Sequence, residues 1–240
     1  LLCSTVEDTF KDTNIMLKSV EKFNIPHIVG GVLPINAPEK CLSSPNISVI
    51  CRYEGELVLK EVIKKFKEGR DWKETPGLWY KKNGQIIKNP RQPLCNINDV
   101  VPDFSLYDPV RFNRSMSGKV RSTLLFETYR GCPYSCTFCN SPMTRAMDKN
   151  YLRRKKIDQV EKELNYYVKN FKPEYWTITD DSFLARPKRE NFELCELLKK
   201  YKIPWRCNTR LENIDEKILR NMKESYCDRI QFGIECGDAD

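Results

Sequence analysis

Tyr129-Arg130-Gly131-Cys132-Pro133-Tyr134-Ser135-Cys136-Thr137-Phe138-Cys139-Asn140 is the stretch on which the reading of this chain turns. It holds three cysteines spaced C-x3-C-x2-C, directly after the apolar run Thr123–Thr128, which reads as a strand. Three thiolates on one short loop can ligate three irons of a cubane 4Fe–4S cluster and leave the fourth iron open. Gly131 and Pro133 favour a tight wrapping, and the aromatic Phe138 can shield such a group from water. Other readings remain. Zinc takes C-x2-C pairs and four protein ligands, and no fourth ligand has matching spacing here. Unligated structural cysteines so close together would be a coincidence. A purely electron-carrying cluster would want a fourth cysteine nearby, and Cys195 is remote.

Outward from the loop, strand and helix alternate in a regular order. A helix is expected from about Lys156 to Phe171, then a strand at Tyr175–Thr179 and a helix at Lys188–Tyr201. A strand at Trp205–Thr209, a helix at Asp215–Glu224 and a strand at Arg229–Ile234 follow. This is the pattern of an open or closed α/β barrel, whose chemistry lies on the loops after its strands. Upstream the texture changes. Pro90, Pro93, Pro102 and Pro109 break any period, so 89–122 reads as a linker. Before it, Leu1–Thr5, His27–Gly30 and Ile47–Cys51 read as strands, with helices at Asp8–Phe23 and Glu54–Lys67. Trp79–Lys88 reads as a hairpin about Asn83-Gly84. The fold class is therefore α/β, with a partial Rossmann-like domain at 1–88 and an incomplete (β/α) barrel at 123–240.

The 240 residues are 40% hydrophobic and 31% charged, and no run reaches the ~18 apolar residues of a membrane span. Lys and Arg number 41 against 33 acidic residues, a net charge of +8. One dense basic patch holds Arg145, Lys149, Arg153, Arg154, Lys155 and Lys156. It reads as a solvated helix start with phosphate contact as the sharper alternative, which is no strong nucleic-acid signal. Eleven cysteines, an odd count without a signal peptide, favour a reducing cytoplasmic compartment over a disulfide framework. Cys3, Cys41, Cys51, Cys95, Cys195, Cys207 and Cys227 are expected as free thiols. The chain opens on Leu1 and closes on a strand running into a loop, so it reads as a fragment of a longer protein.

The cysteine loop, placed after the first barrel strand, resembles that of the radical S-adenosylmethionine (SAM) superfamily. Thr179-Asp180-Asp181-Ser182-Phe183, Asn208-Thr209-Arg210 and Gly233-Ile234-Glu235-Cys236-Gly237 resemble the strand ends of its cobalamin-domain branch, with Cys236 where Ser is usual. Ser4-Thr5, Val29-Gly30-Gly31-Val32 and Arg52-Tyr53-Glu54-Gly55-Glu56 resemble pieces of the cobalamin-binding domain that precedes such a barrel. The D-x-H-x-x-G motif that supplies a lower axial histidine is absent, and His27 reads as an ordinary strand-end residue.

The resemblance implies a 4Fe–4S cluster on Cys132, Cys136 and Cys139, and SAM chelated at the open iron. It implies that Asp180 or Asp181 takes the SAM ammonium, and that Arg210 and Glu235 meet its carboxylate and ribose. It places the nucleotide tail of cobalamin against Gly30 and Gly31. The blander readings are helix caps for the aspartates, an ion pair for Arg210 and Glu235, and a simple turn for the glycines. Glu54 and Glu56 read as residues that cap and begin a helix. The implied activity is reductive cleavage of SAM with methyl transfer to an unactivated atom of a small-molecule or lipid-like substrate. An electron donor such as flavodoxin or ferredoxin would serve it. A radical cyclase, mutase or oxidoreductase with a structural first domain, and a non-enzymatic metal module, are the alternatives.

Overall fold

The computed structural model describes residues 2–3, 7–235 and 237, and divides into two compact units that meet in the chain between Cys95 and Asn96. Leu1, Ser4, Thr5 and Cys236, named above, lie outside the described residues.

The first unit runs β1 (Leu2–Cys3), α1 (Glu7–Val20), β2 (Val29–Gly30), α2 (Val32–Asn36), α3 (Pro38–Ser43), β3 (Val49–Cys51), α4 (Glu56–Lys67), β4 (Leu78–Lys82) and β5 (Gln85–Lys88). Its sheet has the order β1-β2-β3-β4-β5, parallel through β3 and antiparallel beyond it. Successive strand residues face opposite sides, and both sides are covered. Val49 and Cys51 pack with Val58 and Val62 of α4, while Ile50 packs with Leu17 of α1 and with Cys41 and Leu42 of α3. That double burial is why Val49-Ile50-Cys51 reads as an unbroken apolar run. The β4–β5 turn is made by Asn83 (φ 51°) and Gly84 (φ 75°), the backbone pair a two-residue hairpin loop requires.

The second unit runs β6 (Asn113–Met116), β7 (Lys119–Phe126), β8 (Tyr129–Arg130), α5 (Ser141–Met147), β9 (Arg153–Arg154), α6 (Ile157–Phe171), β10 (Tyr175–Ile178), α7 (Lys188–Tyr201), β11 (Trp205–Thr209), α8 (Glu216–Glu224) and β12 (Cys227–Phe232). Strands β7, β10, β11 and β12 lie parallel in chain order, the opening strands of a (β/α) barrel, with β6 antiparallel on the outer edge. Helices α6, α7 and α8 cover one face. Val160, Leu164 and Tyr167 of α6 recur at helical spacing and meet Trp176, Ile178 and Trp205, all at most 1% exposed. Asp215 caps α8 by accepting from Ile218 N at 2.8 Å. Helices α6 and α7 end on Lys172 (φ 48°) and Lys202 (φ 54°) in the left-handed region, with Pro173 and Pro204 close behind.

Residues 89–122, expected as a linker, are shared out between the units. Cys95 is buried in the first, and β6 with the opening of β7 forms a hairpin in the second. The prolines mask a turn signal: Ser117 (φ 51°) and Gly118 (φ 75°) repeat the hairpin geometry of Asn83 and Gly84. Strand β12 likewise begins at Cys227, two residues before the expected start, with an irregular register against β11. Among the described residues no helix is long and apolar enough to cross a membrane.

Candidate functional site

The four parallel strands end on one rim, and each end brings a polar side chain to it. After β7 the chain enters the cysteine loop through Gly131, at φ 92°. A Cβ there would stand 2.9 Å from the Tyr151 ring, so glycine alone fits. Strands β8 and β9 pair antiparallel, Tyr129 with Arg154 and Arg130 with Arg153, and so close the root of the loop as a two-stranded ribbon.

Asp180 and Asp181 end β10 side by side and have different surroundings. Asp180 is 1% exposed. It accepts from Thr128 N (2.6 Å), Tyr129 N (2.9 Å), Thr128 Oγ1 (2.5 Å) and Arg186 Nη2 (2.5 Å). Burial pushes its carboxyl up, against the pull of Arg186 and the Thr128 donors. Those bonds pin the root of the cysteine loop to β10. Of the two aspartates offered as alternatives for the SAM ammonium, Asp180 has its lone pairs taken up inside the fold. Asp181 instead faces a cavity of about 720 Å³, where Ser141 Oγ donates to it at 3.4 Å. Desolvation against the surrounding chain raises its carboxyl above the usual range.

The same cavity is lined by Cys132, Cys136, Cys139, Arg210 and Glu235. Six of the nine expected site residues thus come together, and Asp180 stands behind them. Gly30 and Gly31 belong to the first unit, at the C-terminal end of β2, where Gly31 takes φ 101°. That conformation leaves the strand end free of any Cβ. Nearby Arg52 donates to Pro34 O at 2.7 Å and to Ile35 O, which fixes α2 against the end of β3.

The residues present fit a cluster better than a single zinc ion. Among the described residues, the three loop sulfurs are not all within 4.8 Å of one another. Thiolates on one tetrahedral zinc, with Zn–S about 2.3 Å, stand only about 3.8 Å apart. Burial raises the Cys132 thiol. Arg210 Nη1 donates to Cys136 Sγ at 2.9 Å, and its guanidinium lies 4.4 Å from the Tyr134 ring centre. Glu235 is at φ 60°, and a Cβ on Gly233 would overlap its carboxylate. Glycine at 233 therefore leaves room for Glu235 to fold back.

Three contributors were not read from the sequence. Ser182 is 1% exposed, lines the cavity, and its Oγ is a buried polar atom without a protein partner. An orphaned hydroxyl beside Asp181 is what a polar ligand would satisfy. Tyr134 donates its OH to Asn213 Oδ1 at 2.8 Å and so ties the loop to the turn after β11. Arg145, counted only as one of a basic patch, is bonded into the loop itself. Its place on a turn of helix opening at Ser141-Pro142, six residues beyond Cys139, was the available signal. Two other members of that patch are also held by the fold: Lys155 pairs with Glu163 at 2.6 Å, both buried, and Arg154 pairs with Glu190 at 3.2 Å.

Comparison with known proteins agrees with this geometry. Residues 126–240 match the sequence profile of the radical SAM superfamily. The chain is 30% identical over 214 residues to an uncharacterised methyltransferase of Pyrococcus horikoshii, covering 88% of this chain and 46% of that protein. It is 26% identical over 255 residues to the 4'-phospho-dehydrooxetanocin synthase of Priestia megaterium, covering 95% and 33%. The fold resembles the cobalamin-dependent SAM radical enzyme OxsB, solved with aqua-cobalamin and SAM bound, at a TM-score of 0.69 and 24% identity over 98% of this chain and 35% of OxsB. The chain thus spans between a third and a half of the length of these relatives. With the cysteine loop, the strand-end carboxylates and the parallel strands in place, residues 126–240 of this chain form a domain of the radical SAM superfamily.

Proposed function

We propose that the chain is the cluster- and SAM-binding part of a cobalamin-dependent radical SAM methyltransferase. The observation that carries this is the convergence of three loop thiols, Asp181, Ser182, Arg210 and Glu235 on one cavity at the ends of parallel strands. When bound, a reduced cluster with one open iron supplies the electron for reductive cleavage of the SAM sulfonium.

Every other task falls to side chains of this chain. Cys132, Cys136 and Cys139 hold three irons. Asp181 and Ser182 accept from the SAM ammonium, and a carboxylate with a second acceptor orients that group better than either alone. Arg210 takes the SAM carboxylate and Glu235 the ribose hydroxyls. Asp180 and Arg186 keep the loop root rigid, so that ligand spacing survives turnover. Phe138, within the loop and lining the cavity, would screen the cluster from water.

Gly30 and Gly31 leave the end of β2 open to close backbone approach, as a corrin side chain or nucleotide tail requires. Cobalamin supplies the methyl carrier there. The named cobalamin dependence of OxsB supports this extension, as does the methyltransferase name of the Pyrococcus relative. A small-molecule or lipid-like substrate, a flavodoxin- or ferredoxin-type donor and a reducing cytoplasmic setting complete the reading.

Anaerobic reconstitution of the full-length protein with iron and sulfide tests the reading. A brown protein with ~4 irons that converts SAM to 5′-deoxyadenosine or S-adenosylhomocysteine supports it. A colourless protein that takes up zinc instead refutes it. Hydroxocobalamin binding that is lost on Gly30→Val with Gly31→Val supports the cobalamin part. Equal binding in variant and parent, or none in either, removes cobalamin and leaves the cluster site standing.

A further inference from the structure

Arg145 stands on the last turn of α5 and reaches back over the loop that precedes the helix. Its Nη1 donates to Cys132 O at 2.9 Å and to Tyr134 O at 3.1 Å, and its Nη2 donates to Ser135 Oγ at 2.8 Å. Within the loop the backbone closes one turn of its own, Cys139 N to Cys136 O at 3.2 Å, and that turn lies after the second cysteine. The three-residue spacer between Cys132 and Cys136 therefore takes its shape from side chains. Arg145 holds two of its carbonyls and one hydroxyl, while Asn213 and Arg210 hold the Tyr134 ring from the other side. Among the described residues no carboxylate pairs with Arg145, so its charge is met only by loop oxygens.

We propose, resting on the reading that this loop ligates a 4Fe–4S cluster, that Arg145 is a positioning residue that sets the Cys132–Cys136 spacer and raises the reduction potential of the cluster. The first half follows from the fork of the guanidinium. One planar group reaches three acceptors from two nitrogens held in a fixed fork, a geometry that the single nitrogen of an ammonium does not reproduce. The second half follows from charge. A cluster bound by three thiolates becomes one unit more negative on reduction, and a half-buried cation beside it stabilises the reduced form more than the oxidised one. Charge and hydrogen bonding around the sulfurs are the protein's means of setting such potentials.

The experiment is an EPR-monitored redox titration of the full-length, anaerobically reconstituted protein, with iron loss to a chelator measured in parallel. Arg145→Met is expected to lower the ratio of reduced to oxidised cluster at a fixed potential about tenfold, a shift of about 59 mV for one electron. It should also release iron several-fold faster. Arg145→Lys keeps the charge and loses the fork, so it should recover most of the potential while still losing iron quickly. A Met variant with the parent's potential and iron retention overturns the proposal, and so does a Lys variant whose potential falls as far as the Met variant's. Should Arg145→Met take up no cluster, uptake by Arg145→Lys supports the requirement for a cation. Failure of both, with loss of the far-UV circular dichroism signal, makes Arg145 a folding residue and overturns it. A parent protein that takes up no cluster defeats the site reading itself, which is a distinct result.

Discussion

Cys41, Cys51 and Cys95 of the first unit and the loop cysteines Cys132, Cys136 and Cys139 of the second differ in almost every physical respect. Cys41, Cys51 and Cys95 of the first unit are at most 4% exposed. Burial pushes the Cys41 thiol up to about 11 and raises Cys51 as well. The Cys41 and Cys51 sulfurs pack with Val, Ile and Leu and act as small apolar groups. Cys132, Cys136 and Cys139 of the second unit are half-exposed on a loop, face a cavity, and have arginines against the loop. The same atom is core filling in one place and, on the function proposed above, a metal ligand in the other. What separates them is the place in the fold: the first set lies within or beneath a sheet, the second beyond the end of a parallel strand.

The sharpest way to break that comparison is to remove sulfur from each side. Cys136→Ala should abolish the ~400 nm absorbance of the reconstituted protein and most of its iron. Cys51→Ala should keep both and cost only about 1 kcal/mol of stability, as a small loss of buried volume does. Iron retained in the triple Cys132/Cys136/Cys139→Ala variant, or lost in Cys51→Ala, would reverse the roles assigned here.

Asp180 and Asp181 repeat the contrast within two residues. Asp180→Ala leaves Arg186 as a buried charge without its partner, and the loss should be about 3–5 kcal/mol, read as a lowered denaturant midpoint. Asp181→Asn should change stability by no more than about 0.5 kcal/mol. It should weaken SAM binding about tenfold or more, since a hydrogen bond to a charged group contributes about 1.5–3 kcal/mol. Equal stabilities of the two variants would mean that Asp180 is not the anchor its contacts describe.

The sequence carried the barrel strands and the cysteine loop after the first of them well because their signals are local. Helix α7 lies on the expected residues Lys188–Tyr201 and β11 on Trp205–Thr209. The cysteine spacing is legible without any structure. What escaped depends on pairings across the chain. Nothing local in Asp180-Asp181 says that the first meets Arg186 and Thr128 while the second meets open space. Arg145, Lys155 and Arg154 looked alike as charges in a run, yet one braces the loop, one is buried on Glu163 and one pairs at the surface. The second hairpin was lost because Ser117-Gly118 is a weaker turn signal than Asn83-Gly84 and sits among prolines.

The smallest effect expected concerns the first unit's histidine, and it sharpens the claim that burial sets the chemistry there. His27 is the only histidine among the 240 residues, so its imidazole can be followed unambiguously by NMR in this chain. Its Nε2 accepts from Ser48 N at 3.3 Å and lies 3.3 Å from Ser48 Oγ. Burial lowers its pKa below the ordinary 6.5, a bond to the Ile25 backbone opposes this, and the cations Lys73 and Lys81 add to the lowering. The sign for stability follows. With the folded value below the unfolded one, acidification protonates the unfolded chain first, so stability falls as pH drops below about 6.5 and levels off once the folded imidazole is also charged. His27→Gln keeps an acceptor without a titration, and its unfolding midpoint should therefore depend less on pH between 7 and 5 than the parent's. An NMR titration that put His27 at or above 6.5 would mean that a partner, rather than burial, governs this site, and the contrast between the two units would weaken accordingly.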